Sequence, residues 1–422
     1  MLDFRSKQIV ERLFRTEYGK LLATLTKLFG PSHIQLAEDM VQETLISALS
    51  SWSTGEIPAN PTGWLVQVAK RKALNEIKRK HMMLRHHHIH ISSHNSVEDI
   101  DAFFLDDEIK DSQLRMIFTC CHPALDKKSQ IALILKTLCG FGVKEVAKAL
   151  LSTESTMNKR LYRAKEKIRK AETPFIIPQG NELMEKLDTV GLSLYLLFNE
   201  GYNATDGESV IKKELCLEAI RLAKLLVDRY QDDHKLNALL ALMCFHTARF
   251  DARIDDKGTI ILFEDQDRSL WNKDLIHIGM GYLKKSLHDT GISAYHVEAR
   301  IAAEHCLSSS FKETDWQVIH DHYLLLQKLK PNPIIQLNLA IIQSKLQGVK
   351  KSLSLLENIT KNDDLKGYYL LPVTQGVFHM KLQDYRKARV FLEKSLTMGP
   401  SRKEIAFIQD KIKECKKMLP KD

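Results

Sequence analysis

The sequence predicts an all-α protein: two small helical domains, the second a helix-turn-helix, followed by a long helical-repeat domain. Three observations predict it. Apolar residues recur at helical spacing over most of the 422 residues, alternating stretches of strand length are few, and Gly/Pro clusters divide the periodic segments. A chain this long exceeds one ordinary core, so several domains are expected. Hydrophobic residues make up 44% and charged residues 27%, the balance of a soluble globular protein. The seven cysteines lack C-x-x-C spacing, which predicts reduced thiols in a cytoplasm rather than a disulfide framework. The N-terminus has no apolar signal core, and no run reaches the roughly 18 apolar residues of a membrane span. A cytoplasmic protein without a membrane partner is expected.

Taken in order, helical patterns fill residues 1–90, broken at Gly30-Pro31-Ser32 and again between Gly55 and Pro61. Residues 81–111 are His-rich and then acidic, with little apolar periodicity, and read as a linker. Helices resume over 114–171. A second break, from Thr173 to Gly180, precedes a helical C-terminal half, in which residues 259–263 are the best strand candidate, as half of a small hairpin. The expected domains are 1–95, an acidic linker over 96–112, 113–172, and 183–422.

The net charge of +9 is unevenly placed. Residues 127–171 carry twelve Lys or Arg against Glu145, Glu154 and Glu166, and residues 67–90 carry seven against Glu76 alone. Residues 98–111 reverse the sign, with seven acids to one lysine. Clustered cations release counterions on binding nucleic acid, so two basic patches point toward DNA.

The second patch contains the sharper motif. Val143, Val146, Ala147 and Leu150 form one apolar stripe, and small Ala147 permits a close helix crossing. A short turn, with Ser or Thr able to cap the exposed N–H groups, leads into a basic helix. That is helix-turn-helix spacing. On the second helix Met157, Leu161 and Ala164 are expected to face inward, and Ser155, Thr156, Asn158, Lys159 and Arg163 outward, where they can reach base edges and phosphates.

Residues 156–165 resemble the recognition helix of region 4 of a bacterial RNA polymerase sigma factor, which binds the −35 promoter element; residues 126–138 resemble its supporting helix. The acidic amphipathic helix over 37–49 resembles the region that docks on the polymerase clamp helices. The resemblance assigns Glu38, Asp39, Gln42 and Glu43 to that contact. Residues 61–80 are similar to the helix that reads and melts the −10 element, which makes Lys70, Arg71, Asn75, Lys78 and Arg79 candidates for strand contacts. Trp64, at helical spacing with Val68, is expected in the core rather than stacked on a base. Two core domains in this order resemble the extracytoplasmic-function (ECF) type. Residues 114–125, 196–204 and 264–271 narrow the likeness to ECF factors with a large tetratricopeptide-like C-terminal extension. The resemblance implies a promoter-specific initiation factor whose partners are core RNA polymerase and promoter DNA, both duplex and opened strand, and whose extension is regulatory or needed for activity.

Within that extension Ala340, Ser352 and Leu356 are matched by Gly376, Ala388 and Leu392, each 36 residues later. This is close to the tetratricopeptide period of about 34 and predicts stacked helix pairs with a concave face for a protein or peptide partner. Cys120-Cys121-His122 falls short of a four-ligand zinc set and is expected to pack; the histidines at 81, 86, 87, 88, 90 and 94 are expected in a flexible linker. Paired acids at 255–256 and 264–267 read as caps and solvated corners. No Gly-rich phosphate loop, H-E-x-x-H or G-x-S-x-G occurs, so neither catalysis nor a metal or other cofactor is expected. The rival reading is a ligand- or partner-responsive helix-turn-helix regulator that acts without replacing sigma. Residues 37–80 discriminate, because such a regulator needs neither a clamp-binding nor a strand-opening helix.

Overall fold

The structure is a computed structural model that describes residues 4–54, 57–86, 100–150, 152–172, 174–202, 209–253, 261–287, 291–359, 368–400 and 402–419. Among these residues the regular structure is α-helix and short 3-10 turns, with no strand. The expected hairpin is therefore corrected: Phe263 opens a 3-10 turn, Phe263–Asp265, while 259 and 260 lie outside the described residues. The chain divides into two compact units, Met1–Leu197 and Phe198–Asp422.

The first unit begins with α1 (Phe4–Phe29), α2 (Ile34–Thr54) and α3 (Pro61–His86). Their apolar stripes meet in one core, where Leu22, Leu25, Val41, Trp52, Leu65 and Ala69 are buried. Trp52 lies between Phe14 and Trp64, at ring distances of 5.6 and 5.5 Å, so Trp64 packs as its spacing predicts. Gly30 closes α1: its φ of +84° suits glycine, and its N–H donates to the Thr26 carbonyl at 2.8 Å. Pro31 then starts the 3-10 turn Pro31–His33 that leads into α2.

The rest of this unit comprises α4 (Ile100–Phe103), α5 (Asp106–Cys120), α6 (Lys127–Thr137), α7 (Val143–Ala149), α8 (Glu154–Lys170) and α9 (Gly180–Tyr202). Helix α5 takes in the last part of the expected linker, from Asp106 on. Two of its acids are partnered while Asp106 and Asp107 stay exposed: Lys27 of α1 bridges Glu108 and Asp111, the latter at 3.0 Å, and Arg115 holds Asp111 at 2.7 Å. Up to Leu197, α9 belongs to the first unit. Leu187, Val190 and Leu194 are buried, and the Ser193 hydroxyl donates to Gln130 Oε1 at 3.2 Å. The adjacent Cys120 and Cys121 are buried as expected, and burial pushes both thiols up to about 12.

The second unit continues with α10 (Ser209–Arg229), α11 (His234–Ala248), α12 (Lys273–Lys285), α13 (Ala294–Leu307), α14 (Trp316–Leu329), α15 (Pro333–Leu346), α16 (Val349–Ile359), α17 (Leu370–Lys381), α18 (Tyr385–Leu396) and α19 (Arg402–Met418). From α13 onward each helix packs on the next in sequence. Side-chain caps start five of these helices: Asp233, Asn272, Asp315, Asn332 and Asp384 each accept a backbone N–H of the first turn. All six residues of the 36-residue match are buried. A Cβ at Gly376 would lie 2.7 Å from Leu392 Cγ, so the glycine sets how closely α17 and α18 cross.

Candidate nucleic-acid interface

Helices α6, α7 and α8 place the cationic side chains. The Asp126 carboxylate caps α6 by accepting Ser129 N–H at 3.0 Å. Glu145 returns to the start of α7, accepting Gly142 N–H at 2.7 Å. Thr153 caps α8 by accepting Thr156 N–H at 3.2 Å. Met157, Leu161, Ala164 and Ile168 are buried beneath α8 at steps of four, three and four residues, a single helical stripe. The opposite face is therefore obliged to meet solvent. Ser155, Thr156, Asn158, Lys159 and Arg163 all stand exposed on it.

Beside these residues is a polar cavity of about 330 Å³, with Thr156, Lys159, Arg160, Arg163 and Lys167 on its α8 side. Arg160 is the member that reasoning from sequence passed over. Its guanidinium reaches Asp126 at 3.0 Å and Ser129 Oγ at 3.4 Å, which ties α8 to the start of α6. Burial raises the Asp126 carboxyl pKa, but the Ser129 hydrogen bonds and Arg160 outweigh it and hold the group below the usual range. Positions 156, 160, 163 and 167 share one helical face, so the periodicity that marked Lys159 and Arg163 also carried the signal for Arg160 and Lys167.

On α3, Arg71, Asn75, Lys78 and Arg79 are exposed and Lys70 is half-buried. Arg79 pairs with Glu76 at 2.9 Å. On α2, Asp39, Gln42 and Glu43 are exposed and continuous with Ile46 and Leu49, two large apolar side chains also turned to solvent. Gln35 donates to Asp39 at 3.3 Å, and Lys72 of α3 holds Glu43 at 3.0 Å.

Glu38 departs from this face. Only 2% exposed, it forms an ion pair with Lys165 of α8. Tyr18 is buried nearby; burial, with the negative charges of Glu38 and Asp39, raises its hydroxyl pKa. Lys136 of α6 lies 5.4 Å from the Tyr18 ring centroid. Burial and the charge of Lys165 lower the Lys136 pKa, against the opposing pull of Glu38. The reason Glu38 is covered is tertiary: the helix-turn-helix segment packs on α1 and on the turn before α2. Gly19 shows how tightly, since a Cβ there would lie 2.0 Å from the Leu138 carbonyl oxygen.

Asp255 and Asp256 lie outside the described residues, as do His87, His88, His90 and His94; His81 and His86 belong to α3. Glu264 is held by Lys345 at 2.9 Å, and Asp267 accepts Ser269 N–H at 2.8 Å. Among the described residues no group of three or more His, Cys, Asp or Glu is placed to hold a metal ion. No described helix is long and apolar enough to cross a membrane.

A helix-turn-helix with a cationic outer face, together with a separate helical element that presents an acidic and apolar surface, defines a DNA-binding transcription protein. The comparisons sharpen this class. Residues 13–82 match the family model described as Sigma-70 region 2, and residues 115–168 match Sigma-70, region 4. Residues 186–287 match a family of unknown function (DUF6596). Over 384 residues the chain is 31% identical to an uncharacterized protein of Rhizobium meliloti (strain 1021), covering 89% of each chain. No solved structure matches it. The chain belongs to the sigma-70 family, and its role is of the transcription-initiation type, with core RNA polymerase and promoter DNA as the partners that membership implies.

Proposed function

We propose that the chain is an ECF-type sigma factor that directs core RNA polymerase to specific promoters and carries a regulatory, tetratricopeptide-like C-terminal domain. The observation that carries this reading is the order and spacing of the two sigma matches: region 2 ends at 82 and region 4 begins at 115, which supports a two-domain factor. Asp39, Gln42 and Glu43, with Ile46 and Leu49 beside them, offer the clamp-binding face. Glu38 joins that face only when Lys165 releases it. Lys70, Arg71, Asn75, Lys78 and Arg79 contact the opened −10 strand. Ser155, Thr156, Asn158, Lys159 and Arg163 read the −35 duplex, with Asn158 and Ser155 at base edges and the cations on phosphates. The sequential helix pairs of the second unit support a repeat scaffold, a form that holds partners on one face.

The test is transcription in vitro from a promoter library with the purified protein and sigma-free core polymerase. Open complexes with a defined start site are expected. Duplex binding without initiation would favour a helix-turn-helix regulator that leaves sigma in place.

A further inference from the structure

We infer that the second unit holds a binding pocket for a small amphipathic carboxylate, an apolar or aromatic body bearing one anionic group. The site is a cavity of about 490 Å³, within the range of small-molecule sites, roughly 300–1,000 Å³. Alternate helices α13, α15, α17 and α19 contribute to it, together with the 3-10 turn at Phe263 and the start of α14. Phe263, Phe311, Trp316, Ile341, Val373 and Phe378 give it apolar and aromatic walls. These walls supply the desolvation energy that a ligand body needs.

The lining as a whole carries two lysines and two acids, Lys345 and Lys381 with Glu264 and Glu404, but at its Glu264 end two cations meet one acid, which suits an added anion there. Lys345 donates to Glu264 at 2.9 Å and Lys381 lies 3.6 Å from the same oxygen, so two ammonium groups share one carboxylate. Lys345 Nζ also lies 4.5 Å from the Phe311 ring centroid, at the boundary between the ionic and aromatic parts of the site. A second carboxylate beside Lys381 completes a two-to-two set without displacing Glu264. The other acid on the wall, Glu404, already accepts the Tyr369 hydroxyl. Burial and the charge of Lys345 lower the Lys381 pKa, against the opposing pull of Glu264.

Two further features favour the same ligand. His305 lines the cavity with its Nδ1 buried and without a hydrogen-bond partner among the described residues. Burial, with the charges of Arg249 and Arg268, pushes its pKa down to about 3, so the ring lines the cavity as a neutral aromatic surface. Arg249 and Arg268 stack behind the cavity wall, 4.2 and 5.7 Å from the Phe263 ring centroid. Neither is given a carboxylate partner among the described residues, so both add positive potential behind the Phe263 wall.

The proposal does not depend on polymerase, and its test uses none. The full chain is titrated calorimetrically with octanoate, phenylbutyrate and naphthylacetate, and with naphthylacetamide as the uncharged counterpart of the last. At least one carboxylate is expected to bind saturably at one equivalent, and naphthylacetamide about tenfold or more weaker than naphthylacetate. Lys381→Gln leaves the Lys345–Glu264 pair in place and is expected to remove the preference for the charged probe while sparing the amide. Val377→Trp, read with a melting curve to establish folding, is expected to abolish binding of both. No saturable binding by any carboxylate, equal affinity for acid and amide, or a preference unchanged in Lys381→Gln would overturn the proposal.

Discussion

Asn158, Lys159 and Arg163 owe their exposure to residues that are not themselves functional. Met157, Leu161 and Ala164 bind α8 to its support and leave the other face outward. The proposed base and phosphate contacts should respond differently to mutation. Lys159→Ala and Arg163→Ala are each expected to weaken promoter binding across sequences and to lower the log–log salt slope by about 1. Asn158→Ala is expected to cost about 1–3 kcal/mol and to relax preference at one position. Binding titrations at several salt concentrations on specific and scrambled duplexes separate the two; a uniform loss for Asn158→Ala would count against its base contact. Asp111 gives a pH-dependent prediction. Burial raises its pKa, but hydrogen bonds from Arg115 and Lys27 prevail and hold it below the usual value. A carboxylate shifted this way stabilises the fold above its unfolded pKa of about 3.9, and that stability is lost as pH falls through the lower folded value. Thermal stability should therefore fall below about pH 4, less steeply in Asp111→Asn than in the native chain; superimposable acid profiles would dismiss the contribution.

Among the elements, α8 has two roles that the sequence displays unequally. Its apolar stripe is readable from spacing alone, and Leu161→Ala should cost about 2–5 kcal/mol in a denaturant melt. Its grip on α2 is not readable, because the Lys165–Glu38 pair joins residues 127 positions apart. Glu38 sits beside the buried row Ala37, Val41, Thr44 and Ala48, at the border of the helix's wet face. Whether such a border residue is wet depends on what another segment lays over it. Removing one member of a buried pair costs about 3–5 kcal/mol. Lys165→Met is therefore expected to loosen the helix-turn-helix from α1 and α2 and to tighten binding to core polymerase, whereas Asp39→Ala weakens it. Gly19→Ala should loosen the same contact by a different route, through the Leu138 backbone. Distance measurements between labels on α2 and α8 check both; unchanged distances would refute the idea that these contacts hold the two segments together.

For the whole molecule, the boundary at Leu197 matters more than the Pro-rich break that first suggested one. Residues 173–180 look like a linker because of their prolines and glycine. Helix α9 nonetheless belongs to the first unit up to Leu197, with Ser193 bonded to Gln130 and Leu187, Val190 and Leu194 buried. Truncation at Gly180 is expected to lower the melting temperature of what remains, while truncation after Tyr202 spares it. Promoter output measured with the second truncation then reports the regulatory contribution of the C-terminal unit. Unchanged output in vitro and in cells would refute that contribution.

Local periodicity and capping chemistry by themselves determined the helices, the helix-turn-helix, its outward cations and the matched small residues of the repeat. These signals lie within one or two turns, and each helix must bury its own apolar stripe. Tertiary structure alone decided that Glu38 is covered, that Glu108 and Asp111 of α5 are tied to Lys27, and that α9 closes the first unit. It also brought Glu264, Lys345 and Lys381 to one cavity. In every such case the deciding partner is tens to more than a hundred residues away, where spacing in the chain says nothing about distance in space.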